Sequence, residues 1–232
     1  MIDFYMECSD NMEKNRDTMP GLDIPIVTAE NVRVGKLSAF TDATLADSTL
    51  IEMLTSWRNR YRQFFLTQFE ATVPRTLQWL EHTVLADPTR LMFLIHDLGD
   101  EPVGHVGVMR LDEPIVELDN MIRGRSGGDG QLIYWAEVTL LRWLFQVRKV
   151  SGVCLHVLSN NWIPISIHSE IGFRMTEASP LIRRELSGEN QLLIGTVGGE
   201  KLKAKLVRMD LSADDFLRFL DNKWKVAYDV EG

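Results

Sequence analysis

Cysteine is scarce in this chain of 232 residues: it has only Cys8, near a polar N-terminus, and Cys154, inside an apolar stretch. Two thiols so placed build no disulfide framework, and a reducing, cytoplasmic setting is expected. No spacing of Cys and His resembles a structural zinc site, so no metal is expected. Basic residues are in deficit, 25 Lys and Arg against 33 Asp and Glu, for a formal net charge of -8. That excludes a general binder of nucleic acid or anionic membranes, whose affinity comes from clustered Lys and Arg. An anionic ligand must instead find a local positive patch. Long apolar runs are missing too: none approaches the roughly 18 residues of a membrane span, and the first ten residues lack the charged and apolar regions of a signal peptide. There is no internal repeat and no low-complexity segment.

What is present is an ordinary globular balance, 45% hydrophobic and 25% charged, enough for one sizeable core. Residues 1–30 are polar, punctuated by Pro20, Gly21 and Pro25, and are expected to form an arm or an extra edge element. Residues 32–38 alternate as a first strand. Leu50, Met53, Leu54 and Trp57 mark a helix over 45–57, and Leu77, Leu80 and Val84 mark a second that starts at Pro74, a residue suited to a first helical turn. Strands follow at 91–96 and 103–111, then a central strand through Val116, Leu118 and Ile122. Ile133, Ala136, Leu140, Leu144 and Val147 are spaced as one helical face, and 152–159 reads as an apolar strand. Beyond Phe173 come three more strands, 174–186, 191–196 and 203–211, and a helix opened by Ser212, Asp214 and Asp215. This order is α+β, with a core over 31–186 and C-terminal strands and a helix, 187–232, packed on the same domain.

Residues 116–131 carry the most chemistry. They run from the central strand through Gly124, Gly127, Gly128 and Gly130 into the next helix. Glycine admits positive φ and lets a ligand approach without a Cβ in the way. The first N–H groups of a helix lack internal partners and sit at the positive end of its dipole, so such a loop cradles anions. Arg123 and Arg125 add fixed positive charge that suits a pyrophosphate, with Ser126 and Asp129 completing the loop. A Walker loop needs Gly-Lys followed by Ser or Thr, and the sequence here is Gly128-Asp129-Gly130-Gln131. A dinucleotide fingerprint needs a third glycine, which this run lacks.

The run does contain Arg-x-x-Gly-x-Gly, as Arg125, Gly128 and Gly130, and after the apolar strand Asn161, Gly172 and Phe173 follow in order. In these two segments the chain resembles the GNAT superfamily of acyl-CoA-dependent N-acyltransferases, over roughly residues 32 to 185. The resemblance implies a GNAT-like mixed, largely antiparallel central sheet flanked by helices. It implies that the sheet splays between the central strand and the strand at 152–159 to admit a pantetheine arm. It also implies acetyl-CoA or 3-hydroxybutyryl-CoA as co-substrate, bound by Arg123, Arg125, Ser126, Gly127, Gly128, Asp129 and Gly130, with Asn161 capping a helix or reaching the pantetheine. Pairing into a homodimer is common in the family. Two positions depart from its pattern: Pro164 stands where alanine is usual, and His168 where the tyrosine acid is usual.

Attack of an amine on a thioester needs a neutral nitrogen and a proton for the departing thiolate. An aliphatic amine is mostly protonated at neutral pH, with a reference pKa of about 10.4, and a positioned base is worth about 10²–10⁴ in rate. Glu117 on the central strand is the first candidate base, with Asp119, on the same side, in reserve. His168 is the candidate acid for the thiolate. His82, His96, His105 and His156 are read as structural. The basic, aromatic stretch of Trp57, Arg58, Arg60, Tyr61 and Arg62 is either an ordinary helix end or a clamp on the acceptor.

The phrase over 117–125, with Trp57-Arg58-Asn59 and the strand at 104–107, is similar to GNAT members that acylate nucleotide-linked deoxyaminosugars in surface-polysaccharide biosynthesis. That implies a dTDP- or UDP-linked aminosugar as acceptor. Another small amine, such as an aminoglycoside, polyamine or amino acid, would suit the negative charge. A third reading is a CoA-binding regulatory module without turnover.

Overall fold

The computed structural model of the protein describes residues 21–229. Residues 1–20 of the expected N-terminal arm, Cys8 among them, lie outside the described residues. From residue 21 the chain enters strand β1 (Asp23–Val27) and turns back into β2 (Arg33–Ala39). Ile24 and Ile26 are buried while their neighbours are not, so this short stretch alternates as an edge strand does. Pro25 is compatible with an edge position, where its missing N–H costs no central hydrogen bond.

A short helix α1 (Asp42–Ala46) leads into α2 (Ser48–Arg60), which Asp47 caps by accepting from the Leu50 amide at 3.0 Å. Residues 67–68 form a two-residue strand, β3. Helix α3 (Val73–Trp79) starts with Pro74 in its first turn and continues as a wider turn to Leu85. Strands β4 (Leu91–Asp97), β5 (Pro102–Met109) and β6 (Ile115–Arg123) form a meander. Helix α4 (Leu132–Arg142), again extended by a wider turn to Val147, crosses to β7 (Gly152–Leu158). Helix α5 (Trp162–Ile171), strands β8 (Arg174–Leu186), β9 (Glu189–Ile194) and β10 (Glu200–Ser212), and helix α6 (Ala213–Asp229) complete the chain. None of the described helices is long and apolar enough to cross a membrane.

The strands make one ten-stranded sheet in the order β1-β2-β4-β5-β6-β7-β10-β8-β9-β3. Alternation sorts the side chains into two layers. Phe93 and Ile95 of β4 point into the main core, with Val116, Leu118, Val153, Leu155 and residues of α4. Met92 and Leu94 point the other way, into a second core with Leu50, Leu54 and Trp57 of α2. The chain is thus a two-faced sheet, with α4, α5 and α6 on one face and α2 and α3 on the other.

Two irregularities of β6 position the site. First, β6 and β7 are the parallel pair of this sheet, and they pair only from Ile115↔Gly152 to Leu118↔Leu155. β6 runs on to Arg123 and β7 to Leu158, so beyond Leu118 the strands part, as the resemblance implies. Second, β6 carries an extra residue: Asp119 pairs with Gly107 but Ile122 pairs with His105, three residues on one strand against two on the other. Asn120, at φ 51, takes up the bulge. In consequence Ile122 joins the α2 core while Leu118 belongs to the α4 core.

The sheet also reaches across its α2 face. From the end of α2 the chain passes over to β9, where Thr67 pairs with Gln191, the Leu192 amide donates to the Leu66 carbonyl at 2.7 Å, and Arg75 pairs with Glu189. The C-terminal strands are therefore anchored to the connection between α2 and α3.

Candidate active site

The glycine loop begins where β6 ends. Arg123 folds back over it, donating to the Gly127 carbonyl at 3.0 Å and the Gly130 carbonyl at 3.2 Å. Arg125 pairs with Glu101 at 3.2 Å, and its amide donates to the Val103 carbonyl. Asp129 turns its carboxylate onto the Gln131 amide at 2.7 Å, at the threshold of α4. Gly128, at φ +64, lies so close to Asp97 and Leu132 that a Cβ would sit 2.9 Å from a carbon of each. Among the described residues the backbone N–H groups of Ser126, Gly127, Gly128, Asp129 and Gly130 donate no intramolecular hydrogen bond. This row of uncommitted amides precedes a helix of eleven residues, an arrangement whose chemistry suits an anion. A groove of about 370 Å³, lined by Arg33, Asp97, Gly128 and Asp129 among others, opens beside it.

The expected acceptor clamp is largely engaged in holding this loop. The Tyr61 hydroxyl donates to the Arg123 carbonyl at 2.8 Å, and Arg60 donates to the Gly124 carbonyl at 2.6 Å. The buried Trp57 indole covers Gly124 so closely that any Cβ there would overlap it, and it stacks on His105 at 6.1 Å. Arg58 lies between Phe65 and Phe69 and donates to the Thr67 carbonyl at 2.7 Å. Burial there lowers it to about 10, so it remains a cation at neutral pH. Arg62 is exposed.

Glu117 and Asp119 share a side of β6, opposite Val116 and Leu118. Glu117 is gripped from both ends: Arg110 donates to Oε2 at 2.6 Å, and Nδ1 of His156 lies 2.7 Å from Oε1. Arg110 also reaches the Cys154 sulfur at 3.2 Å. Burial, and then the neighbouring Glu117 charge, pushes the Cys154 thiol up. Asp119 pairs with Arg90 at 3.1 Å and accepts from the Asn120 amide at the bulge. Burial pushes its carboxyl up, against the pull of Arg90. On β10, Arg208 stands opposite His156 and Asp210 opposite Cys154. Arg208 clamps Asp210 through the Nε and Nη2 edge of its guanidinium, which holds the Asp210 carboxyl below its usual range. Beyond the parting of β6 and β7 this face turns apolar, with Ile122 on one strand and Leu158 on the other.

His168 is on the other face. It is buried, with Nδ1 2.7 Å from Oε1 of Glu137, which has no exposed surface at all. Its ring meets Phe173 edge-on at 5.5 Å. Asn161 is the residue before α5, and its side chain makes no cap hydrogen bond. The structure therefore groups Glu117 and Asp119 on the α2 face and His168 on the α4 face, with the loop at the end of the opening between them. Sequence reasoning passed over Arg90, Arg110 and Glu137, and read His156 as structural. Glu137 did carry a signal, as the one charged residue in the buried run from Leu132 to Leu141.

No family model matches the chain, and no curated protein matches it. Solved structures match it in shape. A GCN5-related N-acetyltransferase from Brucella melitensis superposes with a TM-score of 0.63 over 92% of this chain and 90% of that one, at 12% identity. The spermidine N-acetyltransferase from Vibrio cholerae, solved with CoA and spermine, superposes with a TM-score of 0.58 over 78% of this chain and 96% of that one, at 14% identity. With its sheet opened at a single parallel pair and an amide-lined turn at the head of α4, the chain has the fold of the GCN5-related N-acetyltransferases.

Proposed function

We propose that the protein transfers an acyl group from acyl-CoA to the amino group of a small amine. The observation that carries this is the coincidence, at one opening in the sheet, of five uncommitted loop amides with two carboxylates on the opposite face. The loop takes the pyrophosphate, Arg123 and Arg125 lend it charge, and the unpaired edges of β6 and β7 offer hydrogen bonds to the amides of the pantetheine arm. The acceptor approaches from the α2 face, between Glu117, Asp119 and the chain that crosses from Tyr61 to Gln68. A base in the cluster of Glu117, Arg110 and His156 draws off the proton of the attacking nitrogen. His168, its Nδ1 held by Glu137, passes a proton to the thiolate from Nε2 when the ring is protonated at both nitrogens.

A cationic amine such as a polyamine is the favoured acceptor. The net charge of -8 draws in cations, and a structure of the same fold, the spermidine N-acetyltransferase from Vibrio cholerae, holds spermine. The nucleotide-linked aminosugar reading needed Arg58, Arg60 and Arg62 for a diphosphate, and two of these are occupied with backbone carbonyls. Acetyl-CoA is the simplest donor, with 3-hydroxybutyryl-CoA as the longer candidate. The test is free-thiol release from both donors against polyamines, aminoglycosides and dTDP- or UDP-linked aminosugars. Release with polyamines supports the favoured acceptor, and release confined to the nucleotide sugars replaces it. Acyl-CoA binding without release from any amine favours the regulatory module.

A further inference from the structure

We propose that the group which takes the proton from the acceptor amine is His156, with Glu117 positioning it; this rests on the acyltransferase reading above. Position singles out His156. Leu155 is the last residue of β7 paired to β6, so His156 is the first residue on the far side of the opening. Glu117 precedes Leu118, the last paired residue of β6. The bond from Nδ1 to Oε1, 2.7 Å, therefore bridges the two strands at the point where they part. A thioester held by a pantetheine arm in that opening has His156 at its edge.

Chemistry points the same way. Both oxygens of Glu117 are engaged, Oε2 by Arg110 at 2.6 Å and Oε1 by His156. To accept the amine proton directly, Glu117 must surrender one of these charge-assisted bonds, which are about twice as strong as neutral ones. His156 surrenders nothing. A carboxylate only accepts, so Nδ1 carries the ring proton and Nε2 keeps its lone pair. Among the described residues Nε2 has no hydrogen-bond partner, and the side chain is about one-third exposed, at 32%.

The charges facing the imidazole are Glu117 from β6, Arg110 from the turn before it, Cys154 from β7, and Arg208 with Asp210 from β10. Arg208 is neutralised by its clamp on Asp210, and Arg110 by Glu117. The field at the ring is thus balanced, and the imidazolium formed in the reaction lies against the Glu117 carboxylate.

In the step itself the neutral amine nitrogen bonds to the carbonyl carbon and a carbonyl electron pair moves to oxygen. The proton on that nitrogen passes to Nε2 of His156. As the carbonyl re-forms, the carbon–sulfur bond breaks and its electron pair leaves on sulfur, which is protonated as CoA thiol. The imidazolium gives its proton to water and the thiolate takes one back through water, so one proton leaves nitrogen, one reaches sulfur, His156 is neutral again and no other reactant is needed.

The test measures thiol release with acetyl-CoA and the best amine from pH 6 to pH 9, in the wild type, His156→Gln, Glu117→Gln and the double variant. Acetyl-CoA affinity is measured by calorimetry in each. The expected result for His156→Gln is a fall in kcat of about a hundredfold or more, loss of the acid-side limb of the pH profile, and unchanged acetyl-CoA affinity. Glu117→Gln falls less, and the double variant is no slower than His156→Gln. His156→Asn stands in should the glutamine variant fail to bind acetyl-CoA. A deeper fall in Glu117→Gln than in His156→Gln, with the double variant following Glu117→Gln, makes Glu117 the base and overturns the proposal. Rates near wild type in His156→Gln overturn it too, while the acyltransferase reading stands. A wild type that binds acetyl-CoA yet releases no thiol with any amine overturns both.

Discussion

Nδ1 of His168 donates to Oε1 of Glu137 across 2.7 Å, between two helices and almost out of reach of solvent. The second carboxylate oxygen, Oε2, is buried without a hydrogen-bond partner. A histidine at this place thus does structural work whether or not it also does chemistry.

His168→Phe would leave Glu137 buried with no partner at either oxygen. Breaking a buried charged pair from one side costs about 3–5 kcal/mol, whereas replacing both partners with apolar groups is often neutral. The expected outcome in denaturant unfolding is a marked loss for His168→Phe and recovery of most of it in Glu137→Leu/His168→Phe. Thiol release measured in the stable double variant then reports on His168 as acid: a low kcat with intact acetyl-CoA affinity supports it, and a wild-type kcat removes it from the mechanism.

The loop discriminates between two of its glycines. Gly128 combines φ +64 with carbon contacts at 2.9 Å, while a Cβ on Gly130 meets nothing within 4 Å. A side chain in the left-handed region costs about 1–3 kcal/mol, or about five- to 150-fold in an equilibrium. Gly128→Ala is therefore expected to weaken CoA binding by that factor in calorimetry, and Gly130→Ala to leave it near wild type.

Tyr61 and Arg60 separate a loop-holding role from an acceptor-holding one. Tyr61→Phe removes one hydrogen bond to the Arg123 carbonyl, worth about 1 kcal/mol, or about fivefold. Steady-state kinetics should show this in the KM for acyl-CoA and not in the KM for the amine. A rise confined to the amine would return Tyr61 to the acceptor clamp.

His105 links stability to pH. It is buried against Trp57, and burial lowers it from 6.5 to about 4, with a backbone hydrogen bond at Asn120 pulling the other way. Because the folded value lies below the unfolded one, the unfolded chain binds the extra proton, and stability is lost as pH falls from 6.5 towards 4. Between pH 7 and pH 5 the loss from this group is about 2 kcal/mol. His105→Gln should flatten the fall in Tm over that window, an effect that thermal unfolding at the two pH values measures directly.

Much of the fold was legible because its elements have clean periods. β4 alternates between two cores, and α4 repeats its apolar positions every three or four residues, so both were placed to within a residue or two. The glycine loop was legible because few backbones need so many glycines before a helix. What stayed hidden is non-local. β3 is two residues long and exists only because Gln191 and Asn190 lie opposite it. β1 was obscured by Pro25 in a strand of five. The bulge at Asn120 leaves no mark on the pattern, yet it decides that Ile122 faces α2. His156 gave no local sign of a carboxylate 39 residues away, so a histidine read as structural became the strongest candidate base.

The crossing from Tyr61 to Gln68 works as a tether with two anchors, the Arg123 carbonyl at one end and strand β9 at the other. A shift of the β8–β9 hairpin is expected to reach, through this crossing, the backbone that shapes the glycine loop. Residues near 190, remote in sequence from Gly128, thereby become mechanical neighbours of the glycine loop. Substitutions in that hairpin are expected to register as changes in the grip on acyl-CoA.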